Sequence, residues 1–262
     1  MPNLKQEYHI ASWSWWKDST YMIDQLLRTN QKLDEIVFCD TWYEFPQMYT
    51  YIEHMENYWN KKYPKLKITK LNYKTAIKIW NKRSESLWTK WQHLWQTRWF
   101  PFHLGMDWCT RELKIYPMKK YLKNYKDKKV YHYIGIAYNE PKRVRANWDI
   151  YPLINWKITE NEITKILIQR WLHNPLYNHF TRTWCYLCPK QSINSLYKLY
   201  KHYPQQWQQI EYLQKRYIQL NATHWLFKGK TIDELKEKFK NIEESWWDSL
   251  DMREEEIWCF CK

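Results

Sequence analysis

Glycine is nearly absent from this chain, which has 3 glycines in 262 residues. An average protein of this length has about 18. The chain instead has 20 tryptophans, many of them in turns and loops, where small residues or residues with positive φ are favoured. We expect several tryptophans to occupy positions where the fold needs glycine. This would arise if the source organism decodes UGA as glycine and its gene was translated with a genetic code in which UGA is tryptophan. A chain that is genuinely rich in tryptophan is the alternative.

Long apolar runs are also absent, since no stretch reaches the roughly 18 residues of a membrane span. Residues 1–7 contain no hydrophobic segment of the kind found in signal peptides. The sequence therefore predicts a cytoplasmic protein without a membrane partner. In that compartment we expect the six cysteines to be thiols or metal ligands rather than disulfides.

The net charge of +14 is typical of proteins that bind polyanions such as nucleotides, tRNA or DNA. The lysines, however, are scattered along the chain rather than clustered. We therefore favour an AT-rich genome, which is rich in lysine codons, as the explanation of the charge.

Strand-like and helix-like segments alternate in the first half of the chain. Because strands that alternate with helices form parallel sheets, the predicted fold class is α/β with a Rossmann-like parallel sheet and a helical C-terminal region. We expect a nucleotide-binding domain over residues 1–160, with a loop or lid near 80–107, and a helical, cysteine-bearing region over 161–262. The predicted elements are strands Tyr8–Ser12, Glu35–Cys39, Leu66–Leu71 and Val130–Ala137, and helices Thr20–Arg28 and Phe45–Tyr63.

Two patterns near the C-terminus predict helices. Trp207, Ile210, Leu213 and Tyr217 have the spacing of one buried helix face. The segment from Thr231 to Glu234 fits a capping box at the start of another helix.

The segment Ser12–Thr20 lies between a predicted strand and a predicted helix, where backbone N–H groups can bind an anion. Its Ser-x-x-Lys-Asp-Ser-Thr pattern resembles the pyrophosphatase-type loop of the adenine nucleotide alpha hydrolase superfamily, usually Ser-Gly-Gly-Lys-Asp-Ser. Trp15 and Trp16 occupy the two glycine places. An ordinary helix N-cap at Asp18 or Ser19 is the alternative.

Further segments resemble the phosphoadenosine phosphosulfate reductase family, in the order that the family has them, over roughly residues 8–210. One is Asp-Thr-Trp-Tyr-Glu-Phe-Pro at 40–46, in which Trp42 stands for glycine. The others are Trp108–Lys114, Gly135–Arg143, Tyr151–Trp156, Asn174–Tyr177 and Arg182–Pro189.

The resemblance implies a set of substrate-binding residues. The loop amides and side chains would hold phosphate or sulfate oxygens, Lys17 would supply charge, and Asp40-Thr41 would lie near the ribose or a metal-bound phosphate. Lys114 and Arg143 would clamp the distal anion. A strand-end turn at residues 40–41 and ordinary surface charges at the two clamp residues are the alternatives. The full set is Ser14, Trp15, Trp16, Lys17, Asp18, Ser19, Thr20, Asp40, Thr41, Thr110, Lys114 and Arg143.

Cys185 and Cys188 have the spacing of metal ligands or of a redox pair. Cys109 precedes them much as a cysteine pair precedes a distant Cys-x-x-Cys in iron–sulfur members of the family, although Trp108 replaces the second cysteine. Three thiolates can hold an iron–sulfur cluster with one open iron, or zinc with a fourth ligand. Cys39, in a strand, is expected to be buried and inert.

Cys259 and Cys261 could supply that fourth ligand, or act as a mobile nucleophile, because reductases of the family carry a catalytic cysteine near the C-terminus. The family's usual Glu-Cys-Gly tail is missing here.

The predicted function is that of a phosphoadenosine phosphosulfate reductase-family enzyme. It would bind ATP, adenylyl sulfate or phosphoadenylyl sulfate, with Mg²⁺ as a companion ion, and act at the phosphate–sulfate or phosphoanhydride end. A thioredoxin-like protein would be the reductant. The alternatives are a sulfurtransferase or ATP pyrophosphatase that modifies tRNA or DNA, and a non-catalytic basic protein that binds nucleic acid. The sequence pattern favours neither a histidine metal site nor a Ser–His–Asp arrangement.

Overall fold

The computed structural model describes residues 5–41, 43–71, 108–145, 148–182, 185–188, 190–221 and 230–244. The chain forms two compact units. The first comprises Met1–Trp80 and Glu112–Thr183, and the second comprises Asn81–Arg111 and Trp184–Lys262. The division at residue 160 stays a prediction. Within the described ranges, no helix is long and apolar enough to cross a membrane.

A parallel sheet forms the centre of the first unit, as the sequence predicts. In the described residues it has five strands in the order β3-β2-β1-β4-β5, and every neighbouring pair is parallel. The strand order reverses at β1, and ligands of such sheets bind beyond the carboxyl end of the strands at that point. The strands are β1 Glu7–Ser12, β2 Glu35–Cys39, β3 Lys67–Leu71, β4 Lys129–Ile134 and β5 Asp149–Ile150.

Five α-helices of the first unit lie in the described ranges, together with a π-helical turn and three short 3₁₀ turns. The helices are α1 Lys17–Arg28, α2 Pro46–Lys62, α3 Tyr116–Leu122, α4 Pro152–Asn155 and α5 Glu160–Gln169. The turns are Arg111–Ile115, which begins in the second unit, and Lys123–Tyr125, Pro141–Arg143 and Pro175–Asn178.

Both faces of the sheet are covered. Ile10, Val37 and Leu71 form a buried cluster on one face, against which Met118 and Leu122 of α3 pack. Because side chains alternate between faces along a strand, Phe38 points to the other side.

On that other side, Trp13 makes edge contacts with Phe38 and with Trp59 of α2, at centroid distances of 5.6 and 4.8 Å. The Trp13 indole N–H also donates to Thr20 Oγ1 at 3.0 Å. These contacts anchor both the loop after β1 and the start of α1.

The predicted strand over residues 35–39 is confirmed at both ends, and those beginning at Tyr8 and Leu66 are confirmed within one residue. Two predicted bounds are wrong. Helix α1 begins at Lys17 instead of Thr20, and β4 ends at Ile134 instead of Ala137.

The second unit is helical in its described residues. Its elements are a helical turn at Trp108–Thr110 and the helices α6 Ile193–His202, α7 Pro204–Asn221 and α8 Ile232–Glu244.

The predicted buried face of α7 is confirmed at Trp207, Ile210 and Leu213, whereas the side chain of Tyr217 lies outside the described residues. The predicted capping box of α8 is confirmed. The Thr231 N–H donates to Glu234 at 2.7 Å, and the Glu234 N–H donates to Thr231 Oγ1 at 3.2 Å. The predicted lid at 80–107 lies outside the described residues.

Candidate anion-binding site

Two serine hydroxyls hold the loop after β1 against the start of α1. The Ser14 N–H donates to Ser19 Oγ at 3.1 Å, and the two hydroxyl oxygens are 3.0 Å apart. Ser19 Oγ also donates to the Trp16 carbonyl at 3.1 Å. Ser14 is exposed whereas Ser19 is buried. The hydroxyl pair thus forms a polar edge beside the helix N-terminus.

The N-terminus of α1 has no side-chain cap. Residue 16 occupies the N-cap position, with φ −79° and ψ 157°, and makes no capping hydrogen bond through its side chain. The Lys17 N–H donates to the Tyr177 hydroxyl at 3.0 Å. The alternative N-cap at Asp18 or Ser19 is wrong, because both lie inside the first turn. Tyr177 thus binds the first helical N–H, and the rest of the start of this 12-residue helix presents its positive end to an anion.

Three cationic side chains surround this helix start, held by two glutamates. Lys17 Nζ lies 3.3 Å from a carboxylate oxygen of Glu160. Arg143 forms an ion pair with Glu140, and Arg182 donates to the same carboxylate at 2.9 Å. Arg143 is buried, and its Nε atom finds no hydrogen-bond partner among the described residues. The cations are therefore prepositioned next to the loop.

Asp18 adds a third carboxylate. It is 2% exposed, and its Oδ1 atom has no hydrogen-bond partner within the described ranges. Burial, opposed by the charge of Lys17, raises the pKa of Asp18 to about 7. One carboxylate oxygen each of Asp18, Glu140 and Glu160 lies within 4.8 Å of the others. This set can balance three cations, and its oxygens are of the type that Mg²⁺ prefers.

Gly135 allows the end of β4 to pass against the first turn of α1. A Cβ atom on this residue would lie 2.7 Å from Ser19 Cα and 2.8 Å from Ser19 N. Only glycine fits without moving the helix start. Strand β4 ends at Ile134, where its last partner on β1 is Ser12, the final residue of that strand.

Trp15 adopts a left-handed backbone conformation, with φ 66°. This region disfavours residues that carry a Cβ. The side chain is 2% exposed and its ring lies 5.2 Å from that of Phe38. Its indole N–H is buried with no acceptor among the described residues. The expectation that glycine suits this position thus agrees with the local backbone.

The structure brings Ser14, Lys17, Asp18, Ser19 and Arg143 to the same helix start. Thr20, in the first turn of α1, is fully buried, and its hydroxyl accepts the hydrogen bond from Trp13.

Asp40 and Thr41 follow the neighbouring strand β2. Asp40 Oδ1 accepts from the Tyr49 hydroxyl at 3.0 Å, and the Thr41 hydroxyl donates to Glu44 at 2.7 Å. Their role in ribose or phosphate binding stays a prediction.

The Lys114 carbonyl accepts from Cys39 Sγ at 3.5 Å. Cys39 is half-buried, less than predicted. Desolvation raises the pKa of its thiol to about 12, so this cysteine is a neutral thiol at physiological pH, in line with its predicted inertness. Thr110 is buried in the second unit. The predicted anion contacts of Lys114 and Thr110 stay predictions.

Cys109, Cys185 and Cys188 all belong to the second unit and are thiols. Cys185 and Cys188 share one turn, in which the Cys188 N–H donates to the Cys185 carbonyl at 2.9 Å. A shared metal or cluster stays a prediction. Cys259 and Cys261 lie outside the described residues.

Sequence reasoning missed Glu160 and Tyr177, which contact Lys17 from α5 and from the turn Pro175–Asn178. The capping box between Thr159 and Glu162 marks a helix start at residue 160. No sequence pattern, however, indicates that this start lies beside α1.

No family model matches the chain. An uncharacterized protein from Methanocaldococcus jannaschii is 24% identical over 236 residues, which cover 84% of this chain and 44% of that protein. The chain thus spans less than half the length of this relative.

A crystal structure of phosphoadenylyl-sulfate (PAPS) reductase from Candida auris, a phosphate complex, aligns with a TM-score of 0.42 and 17% identity. The alignment covers 68% of this chain and 78% of that one. The α/β, Rossmann-like assignment rests on the sheet itself, with its parallel strands, its reversal at β1 and its covered faces.

Proposed function

We propose that the protein binds an adenylyl nucleotide, with phosphate or sulfate oxygens at residues 14–19, and acts at the phosphate–sulfate or phosphoanhydride end. The observation that carries this proposal is the α1 N-terminus without a side-chain cap, which lies beside Ser14, Ser19 and Lys17 where the strand order reverses. Backbone N–H groups at such a position favour an anion.

The charges around the loop support the proposal. Lys17 and Arg143 are paired with glutamates, and an incoming anion would compete for them through charge-assisted hydrogen bonds. Arg143 offers a planar fork that matches phosphate or sulfate oxygens. Asp18, with a pKa of about 7, can take up a proton when an anion arrives, which removes a like-charge repulsion.

The reaction that we favour is reduction of the sulfate of adenylyl sulfate or phosphoadenylyl sulfate. A thiolate, Cys259 or Cys261, would attack the sulfate sulfur, and the bond from sulfur to the nucleotide phosphate oxygen would break. The products are a nucleotide and an enzyme thiosulfonate. A dithiol partner such as a thioredoxin-like protein would then release sulfite and become a disulfide. We propose that this reaction takes place in the cytoplasm.

The second unit would hold an iron–sulfur cluster or zinc through Cys109, Cys185 and Cys188. The thiol ligand type and the shared turn of Cys185 and Cys188 fit a soft metal. Anaerobic purification followed by absorbance spectroscopy and metal analysis tests this. Loss of bound iron or zinc in Cys185→Ser would support a shared site, whereas a metal-free wild-type protein would exclude it.

Calorimetric titration of the Trp15→Gly/Trp16→Gly variant tests the nucleotide proposal, because the two indoles of the parent chain obstruct the approach of phosphate to the loop backbone. The affinities for ATP, adenylyl sulfate and phosphoadenylyl sulfate are compared with those for tRNA and for a DNA duplex whose total charge is similar to that of the tRNA. Tight binding of a sulfated nucleotide, with sulfite release on addition of a dithiol, supports the reductase. Preference for ATP with pyrophosphate release in the presence of tRNA or DNA would indicate the sulfurtransferase or pyrophosphatase class instead. Binding of nucleic acid without any nucleotide would refute the proposal in favour of a non-catalytic protein.

A further inference from the structure

Ser12, His132 and Asp149 form a chain of two short hydrogen bonds on the sheet of the first unit. Ser12 Oγ lies 2.7 Å from His132 Nε2, and His132 Nδ1 lies 2.7 Å from Asp149 Oδ1. The three residues belong to the adjacent strands β1, β4 and β5.

The sheet register brings these side chains together. His132 pairs with Ile10 on β1 and with Asp149 on β5. Ser12 is two residues beyond Ile10, so it points to the same face as His132. Strand pairing, and not a local turn, therefore brings the three side chains together from separate segments of the sequence.

The geometry fixes the proton positions for a neutral imidazole. An ionised Asp149 only accepts hydrogen bonds, so His132 Nδ1 carries the proton. The Nε2 lone pair then faces the Ser12 hydroxyl, which donates to it. A base that contacts a hydroxyl and is itself oriented by a carboxylate is the arrangement that activates serine.

The three hydrogen-bonded side chains are partly exposed to water. The His132 and Asp149 side chains are 12% and 19% exposed, and Ser12 is half-buried. Ser12 lies at the carboxyl end of β1, on the edge of the sheet where ligands of such sheets bind. Position and accessibility therefore both suit a group that meets a substrate.

We propose that Ser12 is a nucleophile toward activated acyl compounds, with carboxylic esters as the substrate class. Ser12 Oγ forms a bond to the carbonyl carbon as its proton moves to His132 Nε2. The carbon–oxygen bond to the leaving alcohol then breaks, and the alcohol takes that proton. Water, deprotonated by His132, releases the carboxylic acid and restores the serine. The net reaction is ester hydrolysis, which needs no oxidant or reductant.

A fluorophosphonate probe tests the nucleophile directly, with peptide mass spectrometry to locate the label and p-nitrophenyl acetate to measure turnover. We expect the label on Ser12 and its loss in Ser12→Ala. His132→Gln should slow labelling about 100-fold or more, the usual contribution of a general base, and Asp149→Asn should slow it as well.

The matched control is His9→Gln. This histidine also lies on β1 and bonds to the Tyr133 hydroxyl at 2.7 Å, outside the proposed chain, so its loss should leave labelling unchanged. Circular dichroism on the same samples detects misfolding, and adenylyl nucleotide titration of the Trp15→Gly/Trp16→Gly variant separates failure of the anion site from failure of this proposal. An unlabelled Ser12 in folded wild-type protein, or labelling that His132→Gln does not slow, would overturn it.

A second, independent inference concerns Trp171. It follows the C-cap of α5 with φ 58° and is 90% exposed. The Trp171 N–H donates to the Ile168 carbonyl at 3.1 Å, and the Leu172 N–H donates to the Leu167 carbonyl at 2.9 Å. This is the Schellman hydrogen-bond pattern, whose left-handed position is usually glycine.

Asn30 and Lys157 end α1 and α4 with the same two hydrogen bonds and φ of 52° and 54°. The chain thus tolerates other residues at this kind of helix end. Trp171, however, places a large apolar ring in solvent, and Trp15 is the other tryptophan with positive φ in the described ranges.

Three other tryptophans differ from Trp15 and Trp171 in backbone conformation. Trp13, Trp59 and Trp207 are at most 3% exposed and pack against aromatic rings, as Trp15 does, but none of them has positive φ. Their backbone therefore accommodates a side chain without strain.

We infer that residues 15 and 171 are glycine in the protein made by its own host, encoded by UGA, whereas residues 13, 59 and 207 are tryptophan encoded by UGG. Reading the five codons, and weighing the corresponding peptides of protein from the host, gives a direct answer. UGG at 15 or 171, or UGA at any of the other three, would refute the assignment.

A stability measurement gives a second readout. Trp171→Gly should raise the midpoint of thermal unfolding by about 2–4 °C, because glycine enters the left-handed region without strain. Trp156→Gly is the matched control, since Trp156 is partly exposed and has φ −79°, and it should give no increase. An equal effect of both changes would contradict the inference.

Discussion

The indole of Trp16 covers the guanidinium of Arg143, with 5.9 Å between Arg143 Cζ and the ring centroid. Arg143 is the buried cation whose Nε lacks a hydrogen-bond partner in the described part of the chain. The ring of a loop residue therefore contacts the proposed anion clamp directly. This contact gives the loop hypothesis a direct test.

Replacing both loop tryptophans by glycine should create nucleotide binding. The parent chain should bind adenylyl sulfate or ATP weakly or not at all, because an indole cannot fit where the backbone must approach phosphate. The variant Trp15→Gly/Trp16→Gly should bind measurably by calorimetry. Trp148→Gly is the control and should behave like the parent. Equal affinity of the parent and the double variant would contradict the hypothesis that the loop needs glycine at residues 15 and 16.

Lys17→Ala in a nucleotide-binding form of the chain should weaken binding by about 1.5–3 kcal/mol, the value of a charged hydrogen bond. The Lys17 side chain is 12% exposed, so its charge is poorly screened. Lys32 is exposed and bonds to the Glu7 carbonyl, and Lys32→Ala should change the affinity little. Similar losses in both variants would indicate a diffuse basic surface instead of a site.

Asp18→Asn should change how stability depends on pH. The pKa of Asp18 is raised from 3.8 to about 7, so the folded state holds the proton more tightly than the unfolded state. Stability from this group is therefore fully present below about pH 4 and is lost as the pH rises through about 7. The loss amounts to at most about 4 kcal/mol, and the asparagine variant should escape it.

Urea unfolding at pH 5 and pH 8 measures this difference. Glu162→Gln is a control that should show no difference between these two pH values, because hydrogen bonds from Thr159 lower the pKa of Glu162 from 4.5 and its contribution is lost only at pH values below this range. Glutamine keeps the capping interaction possible. A stability difference between Asp18→Asn and wild type that stays constant with pH would show that Asp18 does not titrate as described.

Four of the strands described in the sheet were predictable from apolar residues between polar ends, β2 most clearly, whereas the two-residue strand β5 Asp149–Ile150 was not predicted. Glu35–Cys39 is followed by a polar Asp-Thr pair, and the alternation with helices indicates parallel order. The start of α1 was not predictable in the same way. Residue 16 caps it through the backbone alone, and tryptophan at that position hides the loop pattern.

The site was only partly predictable for a related reason. Ser14, Lys17 and Ser19 are close in sequence, so a local pattern identifies them. Glu160 reaches Lys17 from a helix far along the chain, and tertiary packing alone creates that contact. The chain from Ser12 to His132 depends on strand register, which no local pattern carries.

Gly135→Ala should destabilise the protein and distort the loop together. The added Cβ would meet backbone atoms of Ser19 at 2.7 and 2.8 Å, and backbone atoms cannot rotate away as a side chain can. Overpacking of this kind costs about 1–3 kcal/mol, measurable by urea unfolding. Moving Ser19 also breaks its contact with Ser14, so nucleotide affinity in a binding-competent form should fall as well. Ala137→Ser, at a fully buried position just beyond β4, controls for a general loss of packing, since it should lower stability without a matching loss of affinity. Unchanged stability and affinity in Gly135→Ala would mean that β4 does not pass against the helix start as the structure has it.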